Sequence, residues 1–455
     1  MSASQPSPIA PLTNRALAGF GLAAIPAQFM FVLVLLMYLK YAVDDLGASA
    51  TAVGTIFLAA KLWDAVSDPM VGNWSDRTVH RLGRRKVWLL LSGPLLCIFG
   101  IAAWVPPEGL QGWALSAWIA VAVIGFYTAY TCFEVPHMAL GAEMTLDRQE
   151  RNKVFGVRQV ARTLGMLAAG TAGVKLVQSG TTTAAWMAIG VGALTVAFIT
   201  AGVRWMPGER ADHMGRGGDS PFRAIRDVVR NPHARLVLFV YFIESIGSGG
   251  IGALTPFLVE YVIKMPEITA PMLGAYMLSA LLAVPVWIWL ARHFEKRHLW
   301  LFAMVQGGIG YGLIFWVGEG DWQLMLVSSL LSGTAGACGN TLGQSIKAEI
   351  IDVDELQTGE RKEGAYFAGW SFMGKLAGGI MIYVVGVSLD LSGYVANAVE
   401  QPQSAQNAMI YLMGGVPLVC YAIGSIAFSR FRLSEAEHAR VRAELDARAS
   451  STGEA

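Results

Sequence analysis

Twelve long apolar segments separated by short polar loops constrain the fold of this 455-residue chain more than any other feature of its sequence. Each segment has about 20 residues or more, the length that an α-helix needs to cross the hydrocarbon core of a bilayer. Hydrophobic residues make up 54% of the chain and charged residues 15%, whereas soluble domains carry about 25% charged residues. The sequence therefore predicts a polytopic membrane protein and excludes a soluble enzyme, a disordered chain and a nucleic-acid binder. The predicted segments lie near residues 17–43, 49–74, 87–106, 113–140, 154–176, 182–205, 236–262, 270–291, 299–318, 323–346, 363–389 and 406–429.

The predicted spans are helices, because backbone polar groups in lipid must form hydrogen bonds within their own segment. The segments also lack the strict alternation of a membrane β-barrel. Lys and Arg residues concentrate in the loops on one side of the predicted membrane, whereas the loops on the other side carry only Lys264. Because basic loops remain in the cytoplasm and the number of spans is even, both termini are predicted to be cytoplasmic.

A polar, Gly-rich loop at residues 206–235 divides the spans into two sets of six. We therefore predict an N-terminal six-helix bundle at 17–205 and a C-terminal six-helix bundle at 236–431. Polar cytoplasmic tails at 1–16 and 432–455 flank them, and the second tail is predicted to form a short solvated helix. Two six-helix halves are typical of transporters that alternate access to a central site.

The second span carries two carboxylates, Asp64 and Asp68, which are four residues apart and therefore lie on one helix face. Two bare carboxylates at membrane depth repel each other, and each is costly unless it is paired, hydrated or neutralised. They require a cation, either Na⁺ or H⁺ or the ammonium group of Lys61, one turn away. The pattern therefore predicts a cation site, with a purely structural ion pair as the alternative.

Further ionisable residues fall inside spans four, five and eleven. Glu134 has no adjacent basic residue in its own span, and Thr131 lies one turn before it with a hydroxyl that could serve as a ligand. Span five carries Arg158 and Arg162; Arg158 could pair with Glu134 or bind a polar solute, and either arginine could instead extend to the inner membrane face. Lys375 lies near the middle of span eleven and needs a carboxylate partner, for which the two span-two carboxylates are the candidates.

The loop between spans two and three contains a charged motif, Gly72-Asn73-Trp74-Ser75-Asp76-Arg77, followed by Arg81-Leu82-Gly83-Arg84-Arg85-Lys86. It resembles the G-x-x-x-D-R-x-G-R-R signature of the major facilitator superfamily, with a short insertion. The Asp76 carboxylate can pair with the loop arginines or cap a helix end. In either case it can hold the inner face of the protein closed. The alternative is that these charges only fix the topology. The predicted gating residues are Asp76, Arg77, Arg84 and Arg85.

The run WDAVSDPMVGNWSDR, with GRRKVW after it, resembles the glycoside–pentoside–hexuronide:cation symporters, typified by the bacterial melibiose permeases. The wider group includes the sodium-dependent lysophospholipid transporters. Further matches extend over nearly the whole chain, including the segment after Pro136 and residues 347–364. The resemblance implies an all-α fold of 12 transmembrane helices in two six-helix halves of the major facilitator type.

The resemblance also implies roles for individual residues. Gln28 replaces the family's sugar-binding aspartate in span one, and Met138 replaces the aromatic residue on which a galactoside stacks. These two departures weaken the expectation of a melibiose-like galactoside, although a sugar remains the expected class. The implied cation ligands are Asp64, Asp68, Thr131 and Ser67, with Ser67 in place of an asparagine. The implied solute-binding residues are Gln28, Glu134, Arg158 and Lys375, the last beside the cation site.

The expected function is symport of a sugar or glycoside, coupled to Na⁺ or H⁺ and operating by alternating access. Transport of a lysophospholipid or another amphiphile is the alternative. An intramembrane enzyme is not expected, because no HExxH or GxSxG motif occurs in a span; a channel or scaffold remains possible. No cofactor and no nucleic-acid partner are expected, and the only metal ion expected is Na⁺ at the span-two carboxylates. We expect a monomer in the bacterial inner membrane, in contact with lipid and a small-molecule solute.

Overall fold

The computed structural model describes residues 12–145, 148–207, 231–359 and 363–452, and every regular element in these ranges is helical. Parts of the family-like segments after Pro136 and at 347–364, including Asp147, Arg361 and Lys362, lie outside the described residues, as does most of the central loop. The α-helices are α1 Asn14–Lys40, α2 Ala50–Arg77, α3 Arg84–Trp104, α4 Gly112–Glu143, α5 Arg148–Ala168, α6 Val174–Gln178, α7 Thr181–Trp205, α8 Pro232–Gly249, α9 Ile251–Tyr261, α10 Thr269–Leu290, α11 Lys296–Gly312, α12 Trp322–Thr358, α13 Glu363–Leu391, α14 Gln403–Ile410, α15 Val416–Phe428 and α16 Glu435–Thr452.

Ten helical segments of the described chain are long and apolar enough to cross a membrane. Two further helices, α2 with 28 residues and α12 with 37, are also long. At 1.5 Å per residue they measure roughly 42 and 56 Å, which exceeds the thickness of a hydrocarbon core of about 30 Å. Both carry buried charged side chains, among them Asp64 and Lys347. These two helices therefore differ from the other ten in polarity rather than in length.

Several spans that were predicted as continuous helices are interrupted. Span seven is divided at Gly250 into α8 and α9, and span five changes to a wide π turn at Ala169–Gly173. The chain packs closely against α13 at the first interruption, because a Cβ atom added to Gly249 would lie 3.0 Å from the Cα atom of Gly378. Only glycine allows two helix backbones to approach this closely.

The chain forms two compact units, residues 1–218 and 219–455. In the first unit, α1 packs against α5 and α7, α2 packs against α4, and α3 packs against α4 and α7. In the second unit, α12 packs against α10 and α11, and α8 packs against α13 and α15. Most side chains predicted to bind ligands belong to α1, α2, α4 and α5 and therefore lie in the first unit.

The C-terminal helix α16 is attached to the second unit by polar contacts. Its first turn is closed by a capping box, in which the Glu437 amide donates to the Ser434 hydroxyl at 3.2 Å and the Ser434 amide donates to the Glu437 carboxylate at 3.4 Å. His438 Nε2 lies 2.9 Å from an Asp352 carboxylate oxygen on α12, and Arg442 lies 3.6 Å from the other oxygen. The predicted tail helix is therefore present and is held against the end of α12.

Gly165 on α5 is the point of closest approach to α1. A Cβ atom at this position would lie 2.3 Å from the Ile25 carbonyl oxygen and 3.1 Å from the Gln28 Cβ atom. Because the first of these atoms belongs to the backbone, neither helix can relieve the clash by a side-chain rotation. Gly156 on the same helix has no atom within 4 Å of its added Cβ.

Gly165→Ala is expected to separate α1 from α5 and to lower the free energy of unfolding by about 1–3 kcal/mol, the usual cost of overpacking. The measurement is the melting temperature of the purified protein in detergent. Gly156→Ala is the matched control and is expected to be neutral or stabilising by up to about 1 kcal/mol, because alanine favours a helix. Equal melting temperatures for the two variants would contradict the assigned helix contact.

Candidate functional site

Three oxygen-bearing side chains from α2 and α4 converge in the first unit. The Thr131 hydroxyl oxygen lies 2.7 Å from Oδ1 of Asp64 and 3.1 Å from Oδ1 of Asp68. Asp64 and Thr131 are buried, with 5% and 1% of their surfaces exposed. The structure thus brings together three of the four predicted cation ligands on two helices that are far apart in sequence.

The number of hydrogens limits how these oxygens can be satisfied. A threonine hydroxyl has one hydrogen to donate, and an ionised carboxylate has none. Thr131 can therefore donate to only one of the two carboxylates at a time. The second close oxygen–oxygen contact becomes favourable when a carboxyl group carries a proton or when a cation lies between the oxygens. Such an arrangement can bind H⁺ or a small hard cation, which prefers oxygen ligands.

Neighbouring side chains hold α2 against α4 around this site. The Trp63 indole donates to the Thr128 hydroxyl at 2.8 Å, one turn from Thr131. The Lys61 ammonium lies 4.3 Å from the centre of the Tyr127 ring and 5.0 Å from that of Phe31. Such cation–π contacts stabilise a buried positive charge. The predicted ligand Ser67 is also buried, and its hydroxyl donates to the Asp64 backbone carbonyl at 3.3 Å.

A second polar cluster joins α4, α5 and α1. One carboxylate oxygen of Glu134 accepts hydrogen bonds from Arg158 and, at 3.0 Å, from Arg162. The Gln28 side-chain oxygen accepts from Arg162 and from the Tyr130 hydroxyl, each at 3.1 Å. The structure therefore has Arg158 directed towards Glu134, an arrangement left open by the sequence, and Arg162 directed there as well. One carboxylate shared by two guanidinium groups leaves donors available for hydroxyl groups of a solute.

His137 fixes the position of Arg158 in this cluster. Its ring is fully buried and stacked between Phe20 and Phe133, at centroid distances of 4.1 and 4.9 Å. Nε2 lies 2.9 Å from the Phe20 carbonyl oxygen, and Nδ1 lies 3.4 Å from Nε of Arg158. A neutral imidazole satisfies both contacts by donating from Nε2 and accepting at Nδ1.

The charged motif after α2 forms an ion-pair cluster with the end of α4. Arg85 pairs with Asp76 and lies 3.3 Å from Glu143, and Arg84 lies 2.8 Å from Glu143. Both arginines are buried, whereas the fourth predicted gating residue, Arg77, is exposed. The cluster ties the beginning of α3 to α2 and α4 within the first unit.

Lys375 lies near the middle of α13 in the second unit, where its side chain is half-buried. Its expected pairing with the span-two carboxylates remains a prediction. Tyr130, His137 and Glu143 also belong to these clusters but were not predicted from the sequence. The signal for His137 was its spacing, three residues after Glu134 and hence on the same face of α4.

Comparisons with known proteins identify the class. A family model described as MFS/sugar transport protein matches residues 19–435. The chain belongs to this family of membrane transporters. It is an integral, multi-pass membrane protein, and the resemblance inferred from its sequence motif is confirmed at the level of this family.

Individual relatives differ in what their names say they transport. The chain is 27% identical over 431 residues to the isoprimeverose transporter of Lactiplantibacillus pentosus, covering 92% of this chain and 88% of the relative. It is 24% identical over 428 residues to the sodium-dependent lysophosphatidylcholine symporter 1 of Xenopus tropicalis, covering 84% and 80%. A solved D-xylose–proton symporter has the same fold, with a TM-score of 0.66, 12% identity and coverage of 92% and 98%.

His137→Phe is expected to destabilise the protein, because it keeps the stacked ring but removes both polar contacts of the imidazole. A lost hydrogen bond to a charged group costs about 1.5–3 kcal/mol, so the melting temperature in detergent should fall measurably. Met138→Leu is the control, because Met138 is the next residue and is 54% exposed. A His137→Phe protein that melts with the wild type would refute a positioning role for this side chain.

Proposed function

We propose that this protein is a secondary active transporter that couples the movement of a cation, Na⁺ or H⁺, to the symport of a sugar or glycoside by alternating access. The observation that carries the proposal is the contact of the single Thr131 hydroxyl with both Asp64 and Asp68. In this proposal the bound cation removes the repulsion between the carboxylates and draws α2 and α4 together. Ser67 adds a further oxygen to the same site.

The solute is proposed to bind at the Glu134 cluster. Glu134 accepts hydrogen bonds from solute hydroxyl groups, while Arg158 and the Gln28 amide supply donors. Lys375 is proposed to act from the second unit, by substituting for the cation when the empty carrier returns. Because Thr131 and Glu134 lie about one turn apart on α4, movement of this helix couples the two sites. Each ligand then raises the affinity for the other by the same factor.

We further propose that α2 and α12 also cross the membrane, which gives twelve spans with both termini in the cytoplasm of a bacterial cell. The bundles are proposed to cover residues 17–205 and 236–431. The Asp76–Arg85 cluster then lies at the cytoplasmic face and opens when the carrier faces inward. A monomer is proposed to be the working unit.

The second candidate solute is a lysophospholipid or a related amphiphile. Besides the sodium-dependent relative, one feature of the first unit favours it: an apolar groove of about 620 Å³ between α1 and α5. The groove is lined by residues such as Leu22 and Val160 and extends to Ile25 and Leu164. Gln28 lies three residues after Ile25, and Arg162 lies two residues before Leu164. An acyl chain in the groove could therefore place its headgroup at the polar cluster.

Asp68→Asn is expected to abolish cation-coupled uptake into proteoliposomes while leaving expression and membrane insertion normal. Thr131→Val should weaken cation affinity roughly ten- to a hundredfold, the equivalent of about 1.5–3 kcal/mol for one contact with a charged group. Thr128→Val is the matched control on the same helix, because its hydroxyl contacts Trp63 instead of the carboxylates. Full coupled uptake by the Asp68→Asn variant would overturn the cation-site assignment.

A thermal-shift screen is expected to separate the two solute classes, because a ligand stabilises the folded state according to its occupancy. Isoprimeverose, D-xylose and a lysophosphatidylcholine are compared in Na⁺ and in K⁺ buffers at equal ionic strength. The proposal expects a rise in melting temperature with a sugar, larger in the presence of the coupling cation. A rise with the lysolipid alone would favour the second candidate.

A further inference from the structure

A buried lysine in the second unit has no role in the proposed mechanism. Lys347 on α12 is 1% exposed, and its ammonium lies 3.7 Å from the centre of the Tyr241 ring and 5.3 Å from that of Trp370. Among the residues that the structure describes, no carboxylate lies within 4.0 Å of this ammonium. The two rings stabilise the positive charge and also cover it.

The carboxylate whose charge interacts with that of Lys347 is Glu244. It lies on α8, one turn after Tyr241. Unlike the lysine, Glu244 is half-buried, and within the described part of the chain no Lys or Arg lies within 4.0 Å of it. A Cβ atom added to Gly424 would lie 3.9 Å from Glu244 Cγ, so α15 also approaches this side chain.

The helices packed around Glu244 contribute few groups that can titrate. Two buried indoles lie in this region: that of Trp300 on α11 approaches the Glu244 carboxylate, and that of Trp370 on α13 lies beside Lys347. Helix α13 also carries Lys375. The other titratable groups whose charges interact with Glu244 are Tyr241 on α8, Cys338 and Lys347 on α12, and Tyr421 on α15.

Two opposite charges lose the favourable free energy of hydration when they are buried. If they are not in direct contact, their mutual attraction compensates for only a small part of that loss. At membrane depth such groups are expected to have a function. Lys347 is enclosed by aromatic rings, whereas Glu244 is only half-buried, so Glu244 is the better placed of the two to exchange a proton. Cys338 and the tyrosines are neutral acids, so they carry no positive charge that could pair with the Glu244 carboxylate.

We propose that Glu244 is a proton-binding site in the C-terminal half, and that Lys347 is the fixed positive charge that sets when the proton is released. One proton binds the carboxylate to give a neutral carboxyl group and later leaves it, with no other bond made or broken. The site is separate from Asp64, Asp68 and Thr131. This proposal rests on the proposed transport function, to which it adds a dependence on the proton gradient.

The first test requires no solute. Infrared difference spectra of the full-length protein between acidic and alkaline buffers, recorded in saturating Na⁺ to keep Asp64 and Asp68 ionised, report bands of protonated carboxyl groups. Glu244→Gln is expected to remove one such band, and Glu319→Gln, at an exposed loop position, is expected to keep it. Lys347→Met should move the loss of the band to more alkaline pH. An unchanged spectrum for Glu244→Gln would overturn the proposal.

The second test measures transport, with isoprimeverose as the probe in proteoliposomes. Glu244→Gln is expected to lose stimulation by an inward proton gradient and to keep stimulation by an inward Na⁺ gradient, whereas Asp68→Asn loses both. Full proton stimulation in Glu244→Gln, or a higher KM with an unaltered pH profile, would contradict proton binding. If the infrared band behaves as expected but the wild type shows no coupled uptake, the proton site stands and the symport proposal fails.

Discussion

The contact between α2 and α4 at the Thr131 hydroxyl is the constraint on which the polar interior of the first unit depends. Two carboxylates on one helix face repel each other, so α2 can keep them buried only if another group supplies positive charge or hydrogen. Helix α4 supplies one hydroxyl hydrogen to two acceptors. In the proposed transporter, a bound cation completes this contact between the helices.

The same helix, α4, carries a second polar layer about one turn further on. In this layer hydrogen-bond donors outnumber acceptors, since two guanidinium groups share one oxygen of Glu134. His137 and the aromatic rings around it keep Arg158 in place without adding charge. An acceptor-rich layer and a donor-rich layer on one rigid element favour two unlike ligands, a cation and a polar solute, whose binding is linked.

The sequence alone predicted the helical membrane architecture and the family, because apolar segment length and the W-D-x-x-x-D-P run are local properties. It also predicted that Asp64 and Asp68 share a face, since helical periodicity fixes that relation. The contacts of Glu143 and His137 were missed because they depend on helix packing. The break at Gly250 was not predicted, although the sequence around it is rich in glycine. Lys347 was interpreted from the sequence only as one of the basic loop residues that orient the protein in the membrane. Its burial follows from the continuation of α12 to Thr358, well beyond the apolar stretch.

The hydrogen bond from the Trp63 indole to Thr128 has a practical consequence. This tryptophan is adjacent in sequence to Asp64, bridges the two helices that carry Asp64, Asp68 and Thr131, and is 39% exposed. Any change in the separation of α2 and α4 alters the polarity around the indole ring. The protein therefore contains an intrinsic fluorophore at the joint between these helices, although it is one of 14 tryptophans in the chain. Its emission, isolated by substitution of the others, would report the occupancy of the proposed cation site without an added label.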